Sequence, residues 1–280
     1  MPQHPRDPES SPRALLGAEL RHMREQAGYS QEALGELLFV SGSYVGQMEA
    51  GTRRIRADMA ARIDELLLTG GLFSRNCRAA NASKYPAHFA EAAEAEAVAT
   101  EIREYNPLLI PGLLQTSAYA RAVFRAYRPT ASEQTIDDLV AARLDRAQLL
   151  GSPTKPLLWP ILDEAVLRRS VGGPAVMAEA LRHVISLACE NRIIVQVIAF
   201  SAGAHAANSG SLKLMYFDDA PPLAYLQGQD TGLLEDDPST VSRHRLTYDL
   251  LVASALSPQD SMDLISSTAE DYAHEASEHP

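Results

Sequence analysis

The 280-residue chain is expected to fold as an all-α N-terminal domain followed by an α+β domain with a mainly antiparallel sheet. Three observations lead to that expectation. Between residues 13 and 72, short stretches of helical apolar spacing follow one another, each opened by a capping residue or closed by glycine. Beyond residue 96 the texture changes to apolar, β-branched or aromatic runs separated by turn-rich segments. The charge divides in the same place. The net charge is −11, yet residues 1–75 hold nine Arg against ten Asp and Glu, so the remainder carries −10.

The elements follow in order. "MPQHPRDPESSP", residues 1–12, is polar and Pro-rich and reads as a disordered tail. In "RALLGAELRHMREQAG", Leu16, Leu20 and Met23 share one stripe, and Gly28 supplies a C-cap. Ser30 caps "QEALGELL", Ser41 caps "GSYVGQMEA", and Asp58 opens "MAARIDELLL", which stops at Gly70-Gly71. Residues 73–95 read as a polar, Ala-rich linker with a helix. In the body, residues 96–272, "AVATEIREYNPLLIPG" starts as a strand and helices follow at about 113–127 and 132–150. "KPLLWPIL" is a strand, and "GPAVMAEALRHVISLACEN" a helix with Pro174 near its first turn. "RIIVQVIAF", "SLKLMYF" and "PLAYLQG" read as strands of an antiparallel sheet. Two helices, about 239–256 and 258–272, and an acidic tail at 273–280 close the chain.

Several function classes are set aside. No apolar run approaches the ~18 residues that span a bilayer, and the N-terminus is no signal peptide, so a cytoplasmic protein without membrane contact is expected. Cys77 and Cys189 lie in different segments and are expected to be unpaired thiols. No His, Cys or Asp spacing suits a metal, and there is no P-loop, GxGxxG or GxSxG, so no catalytic residue, metal or cofactor is expected. Asp163-Glu164 reads as a helix start, where carboxylates complement the dipole, rather than as an acid/base pair. Two features remain open as ligand or partner contacts: His205 in "SAGAHAANSG", and Asn106–Thr116, "NPLLIPGLLQT", whose other reading is a buried turn.

The helix "QEALGELL", a brief connection at Leu38–Val40 and the helix "GSYVGQMEA" have helix-turn-helix spacing, in which the second helix enters the major groove. "SQEALGELLFVSGSYVGQMEAG" resembles the XRE (lambda-repressor/Cro-like) family. The resemblance implies that Gln31 braces a phosphate and that Ser43, Tyr44 and Gln47 project from the reading helix. It also places Arg24 and Glu49 as a buried ion pair. Ser43 and Gln47, four apart, share a face opposite Val45 and Met48. Phe39 stands where the family has a turn glycine, and Gly42 where many members carry a base-contacting side chain. Gln47 could read adenine, while Arg53 and Arg54 in "GTRRIR" are expected to contact phosphates. So few cations per copy point to a homodimer on a double-stranded DNA operator.

"IPGLLQTSAYARAVF", "RLDRAQLLG", "PLLWPILDEAVLRRSVGG" and "IIVQVIAFSAGAH" resemble the regulatory domain of actinobacterial XRE regulators of the WhiJ-like, or Scr1-family antitoxin-like, type. The resemblance implies a transcriptional regulator whose C-terminal domain receives a small companion protein. Two other readings stand beside it: a small-molecule-sensing repressor with an effector pocket in the α+β domain, and an interaction module of XRE descent that has lost DNA binding.

Overall fold

In the computed structural model, which describes residues 12–80, 87–151 and 156–278, the chain divides into two units. Residues 1–11 of the expected tail, residues 81–86 of the expected linker and the last two residues lie outside the described part.

The first unit comprises the chain up to Val98 together with Tyr216–Leu223 and Leu234–Val241. Its helices are α1 (Pro12–Gln26), α2 (Gln31–Leu38), α3 (Gly42–Glu49), α4 (Ala57–Leu66), α5 (Leu72–Ala80) and α6 (Ala87–Glu96). Serine hydroxyls set two of the starts: Ser30 accepts from the Ala33 N–H and Ser41 from the Tyr44 N–H, each at 3.1 Å. Phe39 ends α2 in the left-handed region, at φ 58°, ψ 40°. A non-glycine residue pays about 1–2 kcal/mol there. Leu16, Leu20, Leu34, Val45, Met48, Ile63 and Phe73 form the core. At Gly17 a Cβ would lie 2.6 Å from the Glu49 carbonyl and nearer still to that of Met48, so α1 crosses the end of α3 backbone to backbone.

Within the segment read as a linker with a helix, 73–95, most of α5 packs onto the first unit. Asp64 accepts from the backbone N–H groups of Phe73 (2.9 Å) and Ser74 (2.8 Å), capping α5, and Phe73 and Cys77 enter the core. Gly70-Gly71, the expected end of the helices, only turn the chain, with φ of 63° and 86°.

The second unit holds a six-stranded mixed sheet, ordered β3-β2-β1-β4-β5-β6. The strands are β1 (Glu101–Asn106), β2 (Leu157–Asp163), β3 (Gln196–Ile198), β4 (Leu212–Tyr216), β5 (Leu223–Gly228) and β6 (Thr231–Glu235). β1, β2 and β3 run parallel. Their crossovers contain α7 (Ser117–Tyr127), α8 (Glu133–Ala147), α9 (Glu164–Arg168) and α10 (Pro174–Cys189). β4, β5 and β6 follow as hairpins, the second closed by the two-residue turn Gln229-Asp230. The sheet is thus mostly antiparallel, with two of its five strand pairs parallel, which a run of apolar residues alone does not announce.

α11 (Pro238–Ser254) and α12 (Pro258–Glu278) complete the chain. Their junction covers the free edge of β3: the Leu256 N–H donates to the Val197 carbonyl and the Val197 N–H to Ser261 Oγ, both at 2.9 Å. The expected tail at 273–280 is instead helical as far as Glu278, where His274 and Glu278 face one another four residues apart. No helix is long and apolar enough to cross a membrane, and no group of three or more His, Cys, Asp or Glu is placed to hold a metal, among the described residues.

Candidate nucleic-acid interface

α3 is positioned by a buried carboxylate. Arg24 donates to Glu49 through Nε at 2.5 Å and Nη2 at 3.0 Å, and through Nη1 to the Tyr29 carbonyl at 2.8 Å. The hydrogen bond to Glu49, together with the carboxylate's charge, raises the Arg24 pKa against the opposing cost of burial. Gln31 Nε2 donates to the second oxygen of Glu49 at 2.8 Å. Gln31, assigned to a phosphate from the sequence, therefore turns inward and joins α2 to the end of α3.

Two of the three side chains expected to project from α3 are engaged within the unit. Gln47 is 2% exposed, and its Oε1 accepts from Arg53 Nη1 at 3.3 Å. Tyr44 packs against the core, with the Arg53 guanidinium 3.8 Å from its ring centroid, and burial raises its pKa. Ser43 alone of the three lines a groove on the other side, with Gly42, Gly46 and Ala50. Those positions follow the helical period, i, i+1, i+4 and i+8, opposite Val45 and Met48. The four-residue spacing of Ser43 and Gln47 holds; the packing around Gln47 removes it from that face.

The arginines expected at phosphates are also engaged within the unit. Arg53 is 8% exposed, pairs with Asp236 at 2.8 Å and donates to the Leu234 carbonyl. Arg54 lies 3.5 Å from Glu94, and desolvation lowers its pKa. In "GTRRIR" only Arg56 has a largely exposed side chain, 65%, beside Asp58. The groove's far wall is Asp218, Asp219, Ala220 and Pro221. No local signal in the sequence announces Asp218, Asp219, Leu234 or Asp236, since more than 160 residues separate them from α3.

Within the second unit, His205 is part of a buried cluster. Tyr105, at the end of β1, donates to Asp163 at 3.3 Å and lies 3.2 Å from His205 Nε2. His205 Nδ1 accepts from the Ala207 N–H, which leaves Nε2 carrying the proton in the neutral ring. Burial pushes the Tyr105 pKa well up, with the Asp163 charge adding to it. Asp163 also caps α9 through the Ala165 N–H at 2.9 Å, while Glu164 turns away to the Phe200 N–H. In Asn106–Thr116, Ile110, Leu113 and Leu114 are buried, Asn106 Oδ1 accepts from the Leu108 and Leu109 N–H groups, and Leu108 is 60% exposed. A second groove of 460 Å³ lies between residues 206–212, the β5–β6 hairpin and α11.

Two family models match the chain: one described as a helix-turn-helix domain over residues 15–72, and one described as a domain of unknown function (DUF5753) over residues 89–267. No curated protein and no solved structure matches it.

Proposed function

From a chain that belongs to the DUF5753 family and carries a helix-turn-helix DNA-binding domain ahead of it, we propose a sequence-specific transcriptional regulator of XRE type. It acts as a homodimer, and its C-terminal domain receives a small companion protein, as in antitoxin-like regulators. The observation that carries the DNA reading is the clamp on α3. Arg24, Gln31 and Glu49 fix that helix against α1 and α2 within the matched residues, as a reader whose register on DNA must be rigid requires.

The face that meets base edges is Gly42, Ser43, Gly46 and Ala50. Gly46 leaves the helix backbone without a side chain on that face, and Ser43 supplies the hydroxyl contact. Phosphate affinity then rests on Arg53, Arg54 and Arg56, doubled in a dimer, with half-sites one helical turn apart.

The test is selection from a random duplex library by the full-length chain, followed by titration of the enriched and a scrambled duplex. A preference of at least about a thousandfold is expected for a specific reader. Failure to enrich any sequence overturns the proposal. Light scattering on the complex checks the dimer, and co-purification from the native host checks the companion.

One observation favours a second reading, a small-molecule sensor. The 460 Å³ groove combines an apolar floor of Leu212, Leu226 and Leu233 with polar groups of Ser209, Thr231 and His244. A change of operator affinity on adding a small effector, with no companion protein present, would select it.

A further inference from the structure

We propose that the reading face of α3 is covered by the protein's own acidic segments, and that this cover must withdraw before DNA can bind. The inference rests on the DNA-binding reading above. It goes beyond it by naming what opposes the operator.

Two independent observations meet in the first unit. The groove along Gly42, Ser43, Gly46 and Ala50 is closed on its far side by Asp218, Asp219, Ala220 and Pro221, the tip of the β4–β5 connection. Two carboxylates thus lie beside the helix face where base edges and flanking phosphates would come. Separately, Arg53 is engaged by Asp236 at 2.8 Å and by the Leu234 carbonyl, while its guanidinium stacks on Tyr44. A carboxylate and a carbonyl oxygen here stand against the guanidinium where two oxygens of a phosphate would come.

The burial of these groups gives the contact strength. The Arg53 and Asp236 side chains are 9% and 17% exposed, so bulk salt screens the pair far less than it screens a surface pair. The cover and the operator compete for the same groups, so the apparent affinity for DNA is the intrinsic affinity reduced by the fraction of molecules with the face open. Neutralising the carboxylates raises that fraction. DNA binding conversely favours the open state by the same factor.

The experiment compares the full-length chain with a variant carrying Asp218→Asn, Asp219→Asn and Asp236→Asn, using the duplex enriched by selection. The variant is expected to bind about tenfold more tightly or better, the scale of a typical coupling between sites. A scrambled duplex controls for the loss of negative charge, which would tighten both equally. A second readout needs no DNA: Ser43→Cys, in a Cys189→Ser background that leaves only the buried Cys77, should react faster with a thiol reagent when the three Asp are replaced. Faster labelling with selectively tighter operator binding upholds the proposal. Unchanged operator affinity in a wild-type chain that binds specifically overturns the cover while leaving the DNA reading intact. Faster labelling with no duplex bound by either chain overturns both.

Discussion

Glu49→Ala tests whether α3 is held from beneath. The carboxylate is 4% exposed and receives three hydrogen bonds, two from Arg24 and one from Gln31. Removing it leaves a guanidinium that is 7% exposed without its counter-charge, and breaking such a pair from one side costs about 3–5 kcal/mol. For a unit of about 100 residues, each kcal/mol moves the melting temperature by about 4–8 °C, so a fall of at least about 12 °C is expected. The assay can separate the units. Trp159, the only tryptophan, lies in β2 of the second unit, whereas far-UV circular dichroism follows helices in both. The circular dichroism transition should fall or split while the Trp159 fluorescence transition stays in place. Glu49→Gln keeps an acceptor and should fall by less. Glu25, 3.5 Å from Arg24 with a 54% exposed side chain, is the control, and Glu25→Ala should leave both transitions unchanged. A Glu49→Ala shift no larger than that control would refute the clamp.

Phe39 sits at φ 58° and is 81% exposed, with Arg62 4.7 Å from its ring. Phe39→Gly should raise stability by about 0.5–1 kcal/mol as the left-handed strain is relieved, whereas Phe39→Ala keeps the strain, loses the stack and should not; equal effects in thermal melts would contradict this. Burial pushes the Asp64 pKa up, but hydrogen bonds from Ser74 and Thr69 and from the Phe73 and Ser74 N–H groups outweigh it and hold it below the ordinary 3.8. Its contribution is therefore present above that ordinary value and is lost as pH falls through the lower folded one. Asp64→Asn should accordingly destabilise at neutral pH and less in acid, measured by denaturant titrations at several pH values. Leu113 is 1% exposed, and Leu113→Ala should cost about 2–5 kcal/mol in the Trp159 transition. His205→Ala should speed amide exchange across residues 203–210, which the ring anchors through Ala207 and Tyr105; unchanged exchange would show the loop to be held elsewhere.

The helix-turn-helix was legible because its signals are local. Ser30 and Ser41 each accept from the N–H three residues on, as the capping rule requires, and Val45 and Met48 fall on the buried stripe that their spacing gives. β6, "TGLLE", escaped notice because an exposed edge strand has too little apolar alternation. The parallel arrangement of β1, β2 and β3 escaped because "EIREYN" is charged and half-buried, unlike the apolar strands typical of parallel sheets. The engagement of Gln47 and Arg53 was hidden for a different reason. Arg53 bonds Gln47 and also meets Leu234 and Asp236, and no periodicity reports a neighbour that far along the chain. His205 stood out as an isolated loop histidine; only the shared direction of β1 and β2 brings Tyr105 and Asp163 to the same end of the sheet beside it.

The backbone contact at Gly17 decides how this reader could be retargeted. Any side chain there would collide with the carbonyls of Met48 and Glu49, and Gly51, at φ 68°, has the Ala14 backbone 2.9 Å from where its Cβ would be. α3 therefore cannot tilt or slide against α1 to sample new docking angles. On the reading proposed above, adaptation to another operator comes through residue identity at 43, 46 and 50, because a Cβ at Gly42 would press on the Glu32 backbone at 3.1 Å. A library randomising those three positions with 17, 42 and 51 held as glycine explores new specificities without spending clones on collapsed scaffolds, and a lineage diverging by mutation would be confined to the same narrow corridor.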